Sequence, residues 1–393
     1  MTTLVTGATG YLGGYALFEL LSRGEPCLAL VRAQDEPTAL ERLWHGLQLH
    51  ASAPWLAEQL RAGRLGLVRG DLRQPWLGLQ GADRERVLAE CDGVVNAAAS
   101  LSRRSHRACF DVNLRGGLEV IELCRALLAR GRLRRLTHVS TTAVAGKRRR
   151  EVVDEERAIE WERSDWDPYG RSKKLLEHMI ARLLPAEVWR VVRPSTVLGD
   201  ARFPETTQFE MVRAFVALAR APLLPVDPGL RLDIVNADWV GRAVARLHLL
   251  ERPRHAVYHL SAGEGSTTFG QVTAALARDL GLRPPRFAPR LGGAAGPLFT
   301  ALGALPGPLR GIGALLQAFW PYLEWDVVFA NQRAVSELGE APVPFHRHCA
   351  GLFRFAREGG FRYPHQPLPP LLREALAPAR EAATRRPLPV VSS

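Results

Sequence analysis

Seven residues, Gly7-Ala8-Thr9-Gly10-Tyr11-Leu12-Gly13, lie between an apolar run (Thr2 to Thr6) and a stretch of helical periodicity from Leu12 to Leu21. Three glycines, each three residues from the next, close a strand and open a helix. That arrangement leaves the chain few choices. Glycine allows a tight turn and a close approach of the backbone to a neighbour or a ligand. The helix that follows offers free N–H groups and the positive end of its dipole. Such a cradle suits a pyrophosphate, so Gly7, Thr9, Gly10, Tyr11, Leu12 and Gly13 are candidate cofactor residues. A plain strand–helix turn is the alternative reading, and the placement directly after the first strand argues against it.

Short apolar strands and helical stretches alternate through the first half of the chain. Cys27 to Val31, Leu65 to Val68, Gly93 to Asn96, Leu136 to Ser140 and Val188 to Val192 read as strands. Thr38 to Leu49, Leu118 to Leu128 and Arg171 to Leu184 carry helical periodicity. The pattern predicts βαβ units and an α/β fold, a Rossmann-type doubly wound parallel sheet. It loosens beyond about residue 200, with a helix near Met211 to Ala219 and a last strand-like run at Ala256 to Leu260. The reading is a nucleotide-binding domain over 1–260, with a substrate-region insertion near 195–230. A smaller, mostly helical substrate and lid region follows over 261–393, and Pro378 to Ser393 reads as a frayed tail. Residues 287–319 are rich in Gly, Ala, Leu and Pro, and Leu291 to Leu309 is free of charge. Its glycines and prolines make a poor spanning helix. A mobile lid, a pocket wall or a peripheral membrane contact fits better.

The second strand ends Leu30-Val31-Arg32. A carboxylate near this position would accept from the ribose hydroxyls of NAD, whereas an arginine suits the 2′-phosphate of NADP(H). Arg42 is a second candidate, although both compete with a surface reading. Asp71, in Gly70-Asp71-Leu72, is placed to accept from the adenine amino group, with Leu72 beside it. Ala97 and Ala98, followed by Ala99, are small enough to let a dinucleotide cross the sheet edge. Gly-Asp is also a common turn, so this motif means little alone.

Composition makes one lysine informative. Of 52 basic residues only Lys147, Lys173 and Lys174 are lysine. Lys173 follows Tyr169 by four, so the two share a helix face. An ammonium near a phenol favours the phenolate, and arginine does not replace that compact point charge. The bland reading is two ordinary residues at a helix start. The net charge of +12 favours anionic partners. No nucleic-acid signature accompanies it, so nucleic acid is excluded as a partner. Lys147 to Arg150, followed by Glu151, Asp154, Glu155 and Glu156, reads as a mixed-charge surface loop. Five scattered cysteines suit free thiols in a cytoplasmic protein. No metal-ligand spacing and no secretory signal is seen.

The Gly7–Gly13 turn, Gly70-Asp71-Leu72, Asn96 to Ala99, Asn113-x-x-Gly116, Ser140-Thr141 and Tyr169-x-x-x-Lys173 occur in the order of the extended short-chain dehydrogenases/reductases, which this chain resembles. It is most similar to their thioester reductase and fatty acyl-CoA reductase branch. Leu30-Val31-Arg32-Ala33, His138-Val139-Ser140-Thr141, Arg193-Pro194 before Gly199-Asp200, and Leu232 to Val240 carry that closer likeness. Tyr11 stands where the branch usually shows Phe. The superfamily resemblance spans roughly residues 1–260.

The resemblance implies a general acid, Tyr169, and a supporting Lys173 that also holds the nicotinamide ribose. Thr141 would donate to the substrate oxygen, chosen over Ser140 and Thr142 for its spacing to Gly146. Asn113 is a candidate for a proton relay, with a helix-start residue as the alternative. Pro194 and Thr196 join the cofactor set. The implied reaction is NADPH-dependent reduction of an acyl thioester, on coenzyme A or a carrier protein, to aldehyde or alcohol. With no adenylation domain before residue 1, the acyl group is expected to arrive activated. The helices around 105–129 and 170–183 are a candidate homodimer face. The rivals are another extended carbonyl reductase or isomerase (hydroxysteroid, flavonoid or sugar-nucleotide type), a non-catalytic NADP-sensing module, and a membrane-peripheral scaffold.

Overall fold

The computed structural model describes residues 2–304, 313 and 326–376. Seven strands form its central sheet: β1 (Thr3–Thr6), β2 (Cys27–Val31), β3 (Leu65–Arg69), β4 (Gly93–Asn96), β5 (Arg135–Val139), β6 (Trp189–Pro194) and β7 (Val257–Leu260). Their order is β7-β6-β5-β4-β1-β2-β3, and every neighbouring pair is parallel. This is the doubly wound arrangement expected. The order reverses between β1 and β4, where Thr6 pairs with Asn96. A crevice opens at such a point, outside the carboxyl ends of the strands.

Successive strand residues alternate between two cores, because side chains on a strand point to opposite faces. Val5, Ala29, Val31 and Val95 pack against α1 (Tyr11–Ser22), α2 (Glu36–Leu47), α3 (Ala53–Arg61) and, later in the chain, Ala237–Leu249. Leu4, Leu28, Leu30 and Val94 pack against α4 (Gly81–Glu90), α5 (Gly116–Ala129) and α6 (Pro168–Leu183). The sheet is therefore covered on both sides, which is why its strands read as continuous apolar runs.

A third core joins α7 (Glu210–Ala219), α9 (Phe269–Leu280) and α11 (Cys349–Glu358), with α8 (Ala237–Leu249) leading the chain back to the sheet. It draws on Val212 and Phe215 as well as Phe269, Val272 and Phe353. The insertion near 195–230 and the chain after 260 thus share one core across the boundary read from sequence. Thr196–Val197 pairs in parallel with Ile234–Val235, and Leu223–Leu224 with Arg286–Phe287. The first of these pairings ties the region to the end of β6.

The apolar stretch is only partly described. Its described part includes α10 (Gly292–Ala304), whose interior holds Pro297. Thirteen residues span about 20 Å, short of a bilayer core. No helix among the described residues is long and apolar enough to cross a membrane. Pro378 to Ser393, read as a tail, lies outside the described residues, as does most of 305–319. Phe110, Leu118 and Leu183 are exposed on the segments whose helices predict a dimer face. Arg148 departs from the expected surface loop, being only 4% exposed. Its guanidinium donates to the carbonyls of Ala145 and Arg157 and pairs with Glu151 and Glu160. A long arginine can satisfy several loop carbonyls at once, so one member of the basic run organises the loop from inside. All five cysteines are buried and free.

Candidate active site

A cleft of about 490 Å³ runs across the carboxyl ends of the strands. The glycine turn forms its floor. Gly7 adopts φ +73°, and a Cβ there would lie 2.6 Å from the Ala98 nitrogen. A Cβ on Gly13 would lie 1.9 Å from the Gly7 carbonyl oxygen. The turn therefore packs directly on the small Ala97–Ala98 segment. Thr6 supports that segment: its hydroxyl donates to Asn96 Oδ1 at 2.7 Å. Helix α1 starts at Gly10 without a side-chain cap and without an acidic residue in its first turn. Its first N–H groups are left for an anion. The residues present therefore fit a dinucleotide pyrophosphate.

One end of the cleft is guanidinium-rich. Arg32, Arg42 and Arg73 line it together with Asp71 and Leu72. Arg73 pairs with Asp71 at 2.6 Å, and the hydrogen bond and charge of Arg73, with more distant help from Arg32, hold the Asp71 carboxyl below its usual range. The Arg42 guanidinium donates to the Arg32 carbonyl at 2.5 Å. That bond places Arg42 beside Arg32, so Arg42 belongs to the cleft and not merely to the surface of α2.

The other end gathers the tyrosine–lysine pair. Helix α6 begins at Pro168, and the Asp167 side chain caps it by accepting from the Gly170 N–H at 2.8 Å. Tyr169 and Lys173 lie on successive turns, and both line the cleft. The Lys173 ammonium donates to the Val139 carbonyl at 2.8 Å. Burial pushes Lys173 down to about 8, with Glu177 opposing. Burial raises the Tyr169 phenol above its ordinary value, while the Arg103 guanidinium and a Thr141 hydrogen bond pull it back. The lowering expected from Lys173 is therefore not found: the phenol stands above its ordinary value because burial outweighs the pull of Arg103 and Thr141. The Arg103 guanidinium sits 5.7 Å from the centre of the Tyr169 ring and pairs with Asp167 at 2.7 Å.

The three hydroxyls after β5 separate cleanly in part. Ser140 donates to Glu177, which is bound in turn to Arg193 at 2.6 Å. Thr141 caps the following turn, accepting from Ala143 at 3.2 Å, and meets the Tyr169 side chain. Thr142 also lines the cleft. Asn113 does not line the cleft. Its amide oxygen accepts from the Ser100 N–H at 2.7 Å, and its amide nitrogen donates to the Ser172 hydroxyl at 2.9 Å. It braces the loop after β4 against α6. Thr9, Leu12, Pro194 and Thr196 line the cleft as expected, and Tyr11 does so with its hydroxyl near Thr206.

Reading the sequence did not single out Arg103, Ser195 or Asp233, which also line the cleft. Arg103 is hidden by the abundance of arginine. Asp233 lies within Leu232 to Val240, where only a family likeness marked it. Met211, Phe215, Val327 and Phe329 form an apolar wall drawn from two distant parts of the chain. Val327 and Phe329, rather than the described part of 287–319, supply the late-chain wall.

A family described as Male sterility protein, with an NAD-binding domain, matches residues 5–244. Sterol demethylase protein B of Methylococcus capsulatus is 28% identical over 302 residues, 74% of this chain and 79% of that protein. A linear gramicidin synthase chain of Brevibacillus parabrevis is 27% identical over 70% of this chain, which spans 5% of that protein. Carboxylic acid reductase of Mycobacterium tuberculosis is 27% identical over 66% of this chain and 24% of its own length. The chain thus spans only a minor part of the latter two relatives. The terminal R domain of the myxalamid PKS-NRPS pathway superposes with a TM-score of 0.76 at 23% identity, covering 93% of this chain and 92% of that one. An archaeal thiolation-reductase di-domain gives 0.70 at 16% identity, covering 92% and 76%. With these residues on one cleft and the family matched over more than half its length, the chain belongs to the male sterility/thioester reductase family, an oxidoreductase branch of the extended short-chain dehydrogenases/reductases.

Proposed function

We propose that the protein is an NADPH-dependent reductase of an acyl thioester, presented on coenzyme A or on a carrier protein. The observation that carries this reading is one cleft in which Thr141 and Tyr169 stand between a guanidinium-rich end and an apolar wall. Arg32 and Arg42 favour the extra phosphate of NADPH, since the neighbouring carboxylate, Asp71, is already paired with Arg73. The apolar wall suits an acyl chain. A relative named as a carboxylic acid reductase and a solved neighbour joining a thiolation domain to a reductase domain agree with a thioester substrate.

Thr141 and Tyr169 hold the substrate carbonyl oxygen by their hydroxyls. A bound nicotinamide supplies hydride to the carbonyl carbon. Negative charge then grows on the oxygen, where preorganised donors stabilise it. Tyr169 gives its proton to that oxygen. Lys173, fixed by the Val139 carbonyl, orients the site beneath Tyr169 and would hold the ribose. Collapse of the hemithioacetal breaks the carbon–sulfur bond and yields aldehyde and thiol.

A carbonyl reductase acting on a lipid-like ketone is the second reading. It is favoured by the relative named sterol demethylase protein B, most of whose length is matched. NADPH oxidation at 340 nm with matched acyl-CoAs, aldehydes and ketones separates the two. Thioester consumption supports the first reading, and ketone turnover without it moves the protein to the second. Tyr169→Phe is expected to lower turnover by about 10²–10⁴-fold while the NADPH dissociation constant changes little. Normal turnover in that variant would overturn the assigned acid.

A further inference from the structure

The cleft wall beyond Pro194 is largely apolar, with Phe215, Leu232, Ile234, Val327 and Phe329 lining it. Polar side chains interrupt it, among them Ser195 and Asp233, with Thr196, Gln208, Glu210 and Arg231 also on the lining. Ser195 follows β6, and Asp233 lies between the short strands Arg231–Leu232 and Ile234–Val235. The Thr196 N–H donates to the Asp233 backbone carbonyl at 3.3 Å, which brings the two segments together. Asp233 Oδ1 accepts from the Ala262 N–H at 2.8 Å. Asp233 Oδ2 and Ser195 Oγ are both buried, and neither completes a hydrogen bond among the described residues. The Ser195 hydroxyl and the Phe329 backbone approach the carboxyl without the geometry of a full bond. Arg231 lines the same end, but its guanidinium is tied to Asp326 at 2.8 Å.

A buried polar atom left unpaired loses its water without gaining a partner, which destabilises the fold. Native proteins keep such atoms rarely, and each calls for a reason. Here two of them adjoin in the apolar part of a substrate cleft. A carboxylate oxygen accepts only from donors, and a hydroxyl beside it can bond a donor or an acceptor. We propose that Ser195 and Asp233 form a specificity subsite for a hydrogen-bond-donating substituent, a hydroxyl or an amino group, carried on the acyl chain of the substrate. An unsubstituted chain would leave both atoms unpaired. A site built to bond a substituent rejects the analogue that lacks it far more strongly than a greasy pocket rejects a missing methylene.

The inference rests on the reductase reading only for placing an acyl chain in this cleft, so its test reads binding. Isothermal titration calorimetry with NADPH present would compare inert acyl-pantetheine amides of one chain length. One is unsubstituted, and the others carry a hydroxyl or an amino group at carbon 3 or carbon 5. At least one substituted amide is expected to bind about 10-fold or more tightly than the parent. Asp233→Asn should reduce that ratio towards one. Ser195→Ala, which leaves the Ala262 contact intact, should reduce it in part and covers the case in which the aspartate variant does not fold. Three results would overturn the subsite. These are no preference (or no binding of any amide) in the parent protein, a preference that survives in every folded variant, or variants that weaken NADPH as much as the substituted amide. The last would assign the pair to the cofactor. Turnover of the matching thioesters, run in parallel, tests the reductase reading separately: preference without turnover leaves the subsite standing and removes that reading.

Discussion

The guanidinium of Arg103 lies 5.7 Å from the Tyr169 ring centre, and it opposes the rise that burial imposes on the phenol. A general acid works in its protonated form, so activity falls as pH rises through its pKa. Removing the cation raises that pKa, and the Asp167 carboxylate, no longer offset by it, pushes the same way. Arg103→Met is therefore expected to move the high-pH limb of kcat upward and to lower the plateau. Arg103→Lys should keep the limb nearer the parent. An unmoved limb in Arg103→Met, read from a pH profile, would dismiss Arg103 as the tuning charge. At the opposite end of the cleft, Arg32→Glu is expected to weaken NADPH by about 10-fold or more beyond its effect on NADH. Equal weakening of the two, measured by titration, would mean that Arg32 does not read the 2′-phosphate.

Helix α1 and the turn that feeds it depend on a contact between backbones. A Cβ on Gly13 would lie 1.9 Å from the Gly7 carbonyl, far inside van der Waals contact. Gly13→Ala must therefore displace the turn from the Ala97–Ala98 segment or move α1 itself. The expected result is a loss of about 1–3 kcal/mol in stability, together with a large loss of cofactor affinity. Denaturant unfolding and a cofactor titration would check both. The glycine spacing was legible in the sequence because no other residue type tolerates this approach. The π-helical turn Phe110–Arg115 before α5 was not. Asn113 sits in that turn, and its bracing contacts come from residues 13 positions earlier and 59 later. Spacing within one segment carries no trace of such partners.

At the scale of the whole molecule, the chain after α11 returns to the nucleotide-binding half. The Trp44 and Gln48 side chains donate to the Gln366 carbonyl at 3.2 and 2.8 Å. Leu372 and Ala375 are fully buried in the core that α1 and α2 share with the sheet. The return segment thus closes the nucleotide-binding core from outside residues 1–260. Leu372→Ala is expected to cost about 2–5 kcal/mol, as for other fully buried leucines. A change under about 1 kcal/mol in denaturant unfolding would show that this segment does not contribute to the core.

The sequence by itself determined the alternating strands and helices, the glycine cradle, Arg32 at the end of the second strand, and the Tyr169–Lys173 pair. Each is set by local periodicity, or by a residue type that one backbone position demands. Tertiary structure supplied the physical reason that Thr141, already chosen for its spacing to Gly146, and not Ser140 meets Tyr169: Glu177 and Arg193 claim Ser140 from elsewhere in the chain. It also placed Arg103 beside the phenol and brought Ser195, Asp233, Val327 and Phe329 to one wall. Those choices depend on contacts between segments up to 134 residues apart, from Ser195 to Phe329 (329 − 195). Only the assembled sheet, with its third core packed against it, makes such contacts.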